Sequence, residues 1–360
     1  MARIALVCEA PDGGVAQHVR QLALGLPAHG HEPVLFVPPE FAHNDELSTE
    51  CEVRTLSFRR DYRHPQHDAR ALASLVPALR DTALAHSHSA KAGVIGRVAA
   101  KLARRPAVYT PHGFPFVGEM SDAQRRFGVV VERALAPLTD ALICVCEFER
   151  GLARERGLRP QRTVVVYNGC PPCAGGDTVA MPDGLVVGAV STLRPAKGLD
   201  VLLDAMPAVV AAVPEATLVI AGDGPLETAL RTQAARLGLD VTWLPFEPPP
   251  ARYLRGLDVY VLSSRWEAFP IAPLEAQACG VPQVVTAVGG TRESVVPETG
   301  IVVPPNDPSA LAAALVDLLR DPQRRAAMSV ASRARHAEHF TVDRMIASTA
   351  DLYDRVLAGR

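Results

Sequence analysis

The 360 residues are 48% hydrophobic and 21% charged, a composition that excludes disordered and fibrous chains. A chain of 360 residues exceeds what one hydrophobic core usually supports, so two domains of similar size are expected, with a cleft between them. The net charge of -2 offers no overall attraction for nucleic acid, although residues 1–176 carry +3 and the remainder -5, and nine of the eleven histidines lie in that first part.

The opening MARIALVCEAPDGG reads as a buried strand entering a glycine turn rather than a leader peptide. The other apolar runs, such as Val186 to Val190 and Val259 to Leu262, fall short of the ~20 residues of a membrane-spanning helix. A cytoplasmic chain is the expectation, with a peripheral position on the inner membrane face left open. Of seven cysteines, Cys8, Cys144 and Cys146 sit in strand-like runs, so free buried thiols are expected rather than a disulfide framework. Cys170 and Cys173 have metal-ligand spacing but no second Cys/His pair nearby, and no metal site is expected.

Along the first half, short β-branched runs alternate with helical patterns: ARIALVC, VAQHVRQLALGLPAHG, EPVLFV, then ALAHS, AKAGVIGRVAAKLA and PAVYT. Further strands are expected at Ala141 to Val145 and Thr163 to Tyr167. The alternation predicts a parallel sheet covered by helices, an α/β doubly wound domain over residues 1–170. A Pro/Gly-rich linker occupies 171–184, and 185–340 restart the pattern with LVVGAV, ATLVIAG, VTWLPF, LDVYVLSS, PQVVT and GIVVPP. Residues 341–360 form a last amphipathic helix whose Met345, Ile346, Leu352, Val356 and Leu357 need a surface, and it is expected to cross back onto the N-terminal domain.

In open α/β sheets ligands sit beyond the carboxyl ends of the strands, which selects the residues just after each strand. Gly13 and Gly14 follow the first strand, where glycine lets backbone approach a ligand and a helix N-terminus offers free amides to an anion. The cluster HSHSAKAG carries His86, His88 and Lys91, and His112 follows the next strand. Arg194 and Lys197 stand together where a strand ends and a helix begins, so both cations and the helix dipole can face one diphosphate. Glu267 lies in a later strand-to-helix loop, and Glu275, in the first helical turn among Leu274, Ala276 and Ala278, needs partners that ribose hydroxyls would supply.

In order along the chain, GGVAQHVRQLALGLPAHGHEP, HSHSAKAGVIGR, YTPHGF, VVYNG, VSTLRPAKGLDVLLDA, LVIAGDGPLE and EAFPIAPLEAQACGVPQVVTAVGGTRE resemble glycosyltransferase family 4, the retaining nucleotide-sugar transferases of the GT-B fold. The resemblance implies two Rossmann-like domains facing a cleft, the N-terminal one for the acceptor and the C-terminal one for the donor. It makes Glu267 and Glu275 the family's E-x7-E pair, Glu275 on the ribose and Glu267 towards the donor sugar. Arg194 and Lys197 would neutralise the departing diphosphate, and His112 would contact the transferred sugar. Gly13, Gly14, Gly222, Gly224, the aromatic Phe246 and the backbone amides of Ile271, Ala272 and Leu274 would complete the donor site, and His86, His88 and Lys91 would serve the acceptor. Ala268 stands where many relatives have glycine, and Pro273 removes an amide that some offer.

The implied partners are a nucleotide-diphosphate sugar, with UDP the commoner nucleotide, and a hydroxyl acceptor of polysaccharide or glycolipid assembly, lipid-linked in many relatives; no cofactor is implied. The helix from Val94 to Leu102, with Arg97, Lys101, Arg104 and Arg105, offers a basic edge to an anionic bilayer. A nucleotide-sugar epimerase of the same fold, a non-catalytic sugar-nucleotide binder, and a GDP-mannose transferase acting on a small acceptor remain the alternatives.

Overall fold

Two parallel sheets organise the computed structural model, which describes residues 1–56 and 65–359. The first contains β1 (Ala2–Cys8), β2 (His31–Val37), β3 (Glu52–Thr55), β4 (Leu84–His88), β5 (Ala107–Thr110), β6 (Ala141–Cys144) and β7 (Thr163–Val165), in the order β3-β2-β1-β4-β5-β6-β7. The second contains β8 (Leu185–Val190), β9 (Ala216–Ala221), β10 (Val241–Leu244), β11 (Val259–Leu262), β12 (Gln283–Thr286) and β13 (Gly300–Val303), in the order β10-β9-β8-β11-β12-β13. Both orders reverse beside their first strand, at β1/β4 and β8/β11, which is the switch point where such sheets place ligands.

The inner strands β1, β8 and β11 are near-continuous apolar runs because helices cover both faces and leave no polar side. Leu6 pairs with Leu35 on one side and His86 on the other, and Ile4, Leu6 and Cys8 are fully buried. The helices are marked locally: Ser121 and Gln124 form a capping box before Asp122–Leu135, and Asp307 caps Pro308–Arg320 with proline in its first turn.

The chain divides into two compact units, Gly169–Thr341 and a first unit of Met1–Asn168 joined by the residues from Val342 onward. The helix Val342–Ala358 buries Met345, Ile346, Leu352, Tyr353 and Val356 in the core of that first unit. Gly25 admits it: a Cβ there would lie 2.2 Å from Ile346 Cδ1.

Residues 171–184 contain neither helix nor strand, yet they lie along the second unit, where Val179 N–H donates to Arg252 O at 3.1 Å and Arg255 donates to Asp177 O at 2.9 Å. The cysteine reading is corrected in this segment. Cys8, Cys144, Cys146 and Cys170 are buried and outside any disulfide, but Cys173 is bonded to Cys279, 106 residues later, a pairing no local spacing reveals.

Candidate active site

In the second unit the loop after β8 and the loop after β11 are bonded to one another. Arg194 leads into a tight turn, Pro195–Lys197, ended by Gly198 at φ +59°. A Cβ on Gly198 would meet Ser263 O at 2.2 Å, so glycine is what allows the two loops to touch. Ser263 Oγ then donates to Lys197 O at 3.0 Å, Arg265 N–H to Ala196 O at 2.8 Å, and the Arg265 guanidinium holds both carboxylate oxygens of Asp200 at 2.8 and 2.6 Å.

This bracing brings Lys197 Nζ within 2.6 Å of Glu267 Oε1, which also accepts from Ser264 Oγ at 2.7 Å. The two charges that the sequence placed 70 residues apart are therefore a contact pair. Arg194 is exposed, and its guanidinium has no partner among the described residues.

Glu275 occupies the first turn of the helix Ala272–Cys279, which Gln283 and Gln277 brace by donating to Pro273 O at 3.1 Å and Ser294 O at 2.9 Å. Burial pushes its carboxyl up to about 7. Among the described residues its side chain has no hydrogen-bond or ion-pair partner. Burial raises the Tyr260 hydroxyl well above its ordinary value, and the charges of Glu275 and Glu267 add to that, which puts both acids within electrostatic reach of one buried ring. The Tyr260 hydroxyl is itself enclosed without a hydrogen-bond partner.

Gly222 and Gly224 pack the loop after β9 onto the loop after β8, since Cβ atoms there would lie 1.9 Å from Ser191 O and 2.6 Å from Leu193 O. Phe246 follows β10, is 40% exposed and stacks on Tyr253 with ring centres 6.1 Å apart. One expectation about the donor amides is corrected: Leu274 N–H already donates to Ile271 O at 2.8 Å, a tight first-turn bond, and Pro273 has no N–H. That leaves the amides of Ile271 and Ala272. Sequence reasoning did not single out Gly289, at φ +52°, whose missing Cβ leaves room for Glu267 O.

In the first unit Gly13 has φ +75° with open space around it, and it and Gly14 begin the helix Gly13–Gly25 without a side-chain cap, leaving amides exposed after β1. The acceptor reading of His86, His88 and Lys91 is corrected: all three are buried. His86 is fully bonded, Nδ1 with the Tyr353 hydroxyl at 2.6 Å and Nε2 with Thr110 Oγ1 at 2.7 Å. Lys91 Nζ is paired with Asp68 at 2.9 Å. The basic helix edge is reduced as well, because Arg97 is 1% exposed and holds Glu132 through both guanidinium nitrogens at 2.9 and 3.1 Å.

His112 follows β5 with φ +52°, a left-handed conformation that a non-glycine residue keeps only when its surroundings impose it. Part of that support is Glu149, a buried carboxylate missed in the sequence. Its Oε1 accepts Gly113 N–H at 2.7 Å and its Oε2 accepts Val145 N–H at 2.8 Å, while burial raises its carboxyl to about 7. His112 Nε2 is 3.1 Å from His88 Nδ1.

Two family profiles match the chain, one described as "Glycosyl transferase 4-like domain" over residues 13–169 and one as "Glycosyl transferases group 1" over 179–335. The D-inositol 3-phosphate glycosyltransferase of Thermobispora bispora is 32% identical over 301 residues, covering 76% of this chain and 70% of that protein. A GDP-mannose-dependent monoacylated alpha-(1-6)-phosphatidylinositol monomannoside mannosyltransferase of Corynebacterium glutamicum is 41% identical over 162 residues, 42% of each chain, so more than half of that relative lies outside the match. Among solved structures, a sucrose-phosphate synthase from Thermosynechococcus elongatus superposes with a TM-score of 0.87 at 23% identity, covering 100% of both chains. Anabaena HepE in complex with UDP and glucose superposes with 0.84 at 23% identity, over 99% of this chain and 100% of that one. The chain belongs to the family 4-like glycosyltransferases with the GT-B fold.

Proposed function

We propose that the chain is a retaining hexosyltransferase that takes a sugar from a nucleotide-diphosphate donor and places it on the hydroxyl of a lipid-linked or inositol-type acceptor. The observation that carries this reading is Glu275: a carboxyl raised to about 7 by burial, with no protein partner among the described residues, whose charge acts on the same buried Tyr260 as that of Glu267, the partner of Lys197. A ligand that supplies hydroxyl donors would satisfy this carboxyl, and a ribose offers two.

Arg194, uncompensated and exposed, is assigned to the diphosphate together with Lys197 and the amides of Ile271 and Ala272. Gly222 and Gly224 let the loop after β9 border the nucleotide, and Phe246 offers an exposed face for the base. In the reaction the acceptor oxygen bonds to the anomeric carbon as that carbon's bond to the diphosphate oxygen breaks, and the hydroxyl proton passes to the departing diphosphate. Positive charge fixed where the diphosphate departs stabilises the transition state more than the ground state. Glu267 and His112 are assigned to the transferred sugar, and Gly13 and Gly14 to the phosphates.

A UDP-sugar is the proposed donor; GDP-mannose is the competing one, because one relative is named as GDP-mannose-dependent and another as UDP-Gal-dependent with a diphosphoundecaprenol acceptor. A thermal-shift panel of UDP, GDP, ADP and TDP sugars separates them, since a ligand at 100 times its Kd adds ~2.7 kcal/mol of stability. Stabilisation by UDP sugars and not by GDP-mannose is the expected result. No stabilisation by any of them would overturn the transferase reading.

A further inference from the structure

Three imidazoles of the first unit converge. His18 comes from the helix Gly13–Gly25, His88 is the last residue of β4 and His112 follows β5, and one ligand nitrogen from each lies within 4.8 Å of the other two. His18 and His88 are buried and His112 is partly so. His18 Nδ1 lies 3.1 Å from Asn168 Oδ1, which can only accept, so Nδ1 carries the hydrogen and Nε2 keeps its lone pair. A hydrogen bond of this kind, from the far nitrogen to an oxygen, is how metal-ligating histidines are held in orientation.

The other two rings are close to the spacing a shared ion needs. His88 Nδ1 and His112 Nε2 are 3.1 Å apart. Two nitrogens on a tetrahedral ion with bonds of ~2.0–2.1 Å would be about 3.3 Å apart. His86, with ring centre 4.0 Å from that of His88, backs the cluster but is already bonded at both nitrogens.

We infer that His18, His88 and His112 form a three-nitrogen binding site for a divalent transition-metal ion of the Zn2+ type, with a fourth coordination position open. An all-imidazole set favours Zn2+, Cu2+ or Ni2+ over the oxygen-seeking Mg2+ and Ca2+. Bound metal replaces the His88–His112 hydrogen bond and occupies His112.

Calorimetric titration of the metal-stripped full chain with Zn2+ tests this directly. One ion per chain is expected, bound at least tenfold more weakly by His18→Ala and by His88→Ala, with Co2+ giving the visible absorption of a four-coordinate site. Zinc binding unchanged by both substitutions, or Mg2+ bound as tightly as Zn2+, would overturn the site. Where either alanine variant fails to fold, Asn168→Ala keeps all three ligands and releases only His18, and a ~10–100-fold loss of affinity is expected; unchanged affinity there contradicts the proposal. The further consequence, that zinc inhibits sugar transfer reversibly, rests on the proposed role of His112. Zinc bound with turnover unaffected would count against that role and leave the metal site standing.

Discussion

Glu275 and Arg194 show opposite ways in which a site residue departs from what stability alone would select. Glu275 is half-buried and unpartnered among the described residues, in surroundings that disfavour its ionised form; Arg194 is exposed and unpartnered among them, so its charge is idle without a ligand. Glu275→Gln is therefore expected to keep or raise Tm at pH 8 while weakening nucleotide binding at least tenfold, and a lowered Tm with intact binding would contradict the assignment. Arg194→Ala is expected to leave Tm unchanged and cut turnover by ~10²–10³, the usual effect of removing one donor that stabilises developing charge; activity within twofold of the parent would refute it. Arg194 and Lys197 stand out in the sequence because they follow a strand beside Pro195 and Gly198, and Glu267 and Glu275 because they lie eight residues apart across a strand-to-helix junction. Glu149 was not legible, since in EFER it looks like an ordinary first-turn acid and only the tertiary structure buries it. His86 misled for the converse reason: polar in sequence, it is satisfied by Tyr353, which lies 267 residues away.

At the scale of elements, the site depends on two loops held in register by glycine. Gly198→Ala places a methyl 2.2 Å from Ser263 O on a backbone with φ +59°, so the loops after β8 and β11 must separate and the Lys197–Glu267 contact must stretch. Both lower thermal stability and weaker nucleotide binding are expected, with the binding loss persisting well below Tm. The helix Ala272–Cys279 is fixed at its far end by the Cys173–Cys279 bond, which closes a loop of 106 residues. Closing about 100 residues is worth up to ~4.7 kcal/mol in the chain-entropy account. Reduction, or Cys173→Ser with Cys279→Ser, should lower the Tm of the second unit, and an unaltered melting curve under reductant would show that the bond is absent in solution. In the second unit the order of the strands was readable from alternating β-branched and helical runs, whereas in the first β3 was not, because EVRT carries no apolar run. This disulfide was not, because pairing across such a separation is set by the fold alone.

For the molecule as a whole, the uneven spread of histidine makes the first unit acid-sensitive. His18, His86, His88 and His112 have proton affinities lowered by burial, so each is neutral in the fold and protonated in the unfolded chain below about pH 6.5. Each withdraws ~1.4 kcal/mol per pH unit as pH falls through that range. Glu149 acts the other way: raised to about 7, it is neutral in the fold while the unfolded carboxyl is charged, so it adds stability as pH falls from 7 towards 4.5. Four imidazoles outweigh one carboxyl, and hydrogen exchange should show the first unit opening more readily between pH 6.5 and 4; protection that rises over that range would contradict the burial described here. Asparagine at His88 should flatten the slope.

The claim on which the rest depends is that Glu275 holds the ribose of a bound nucleotide. Its most direct test is the affinity of the parent chain and of Glu275→Gln for UDP and for 2′,3′-dideoxy-UDP. The parent is expected to lose at least tenfold in affinity when the hydroxyls are removed, and Glu275→Gln, already weakened, to lose little more. An equal loss from removing the hydroxyls in both proteins would show that Glu275 does not contact the ribose.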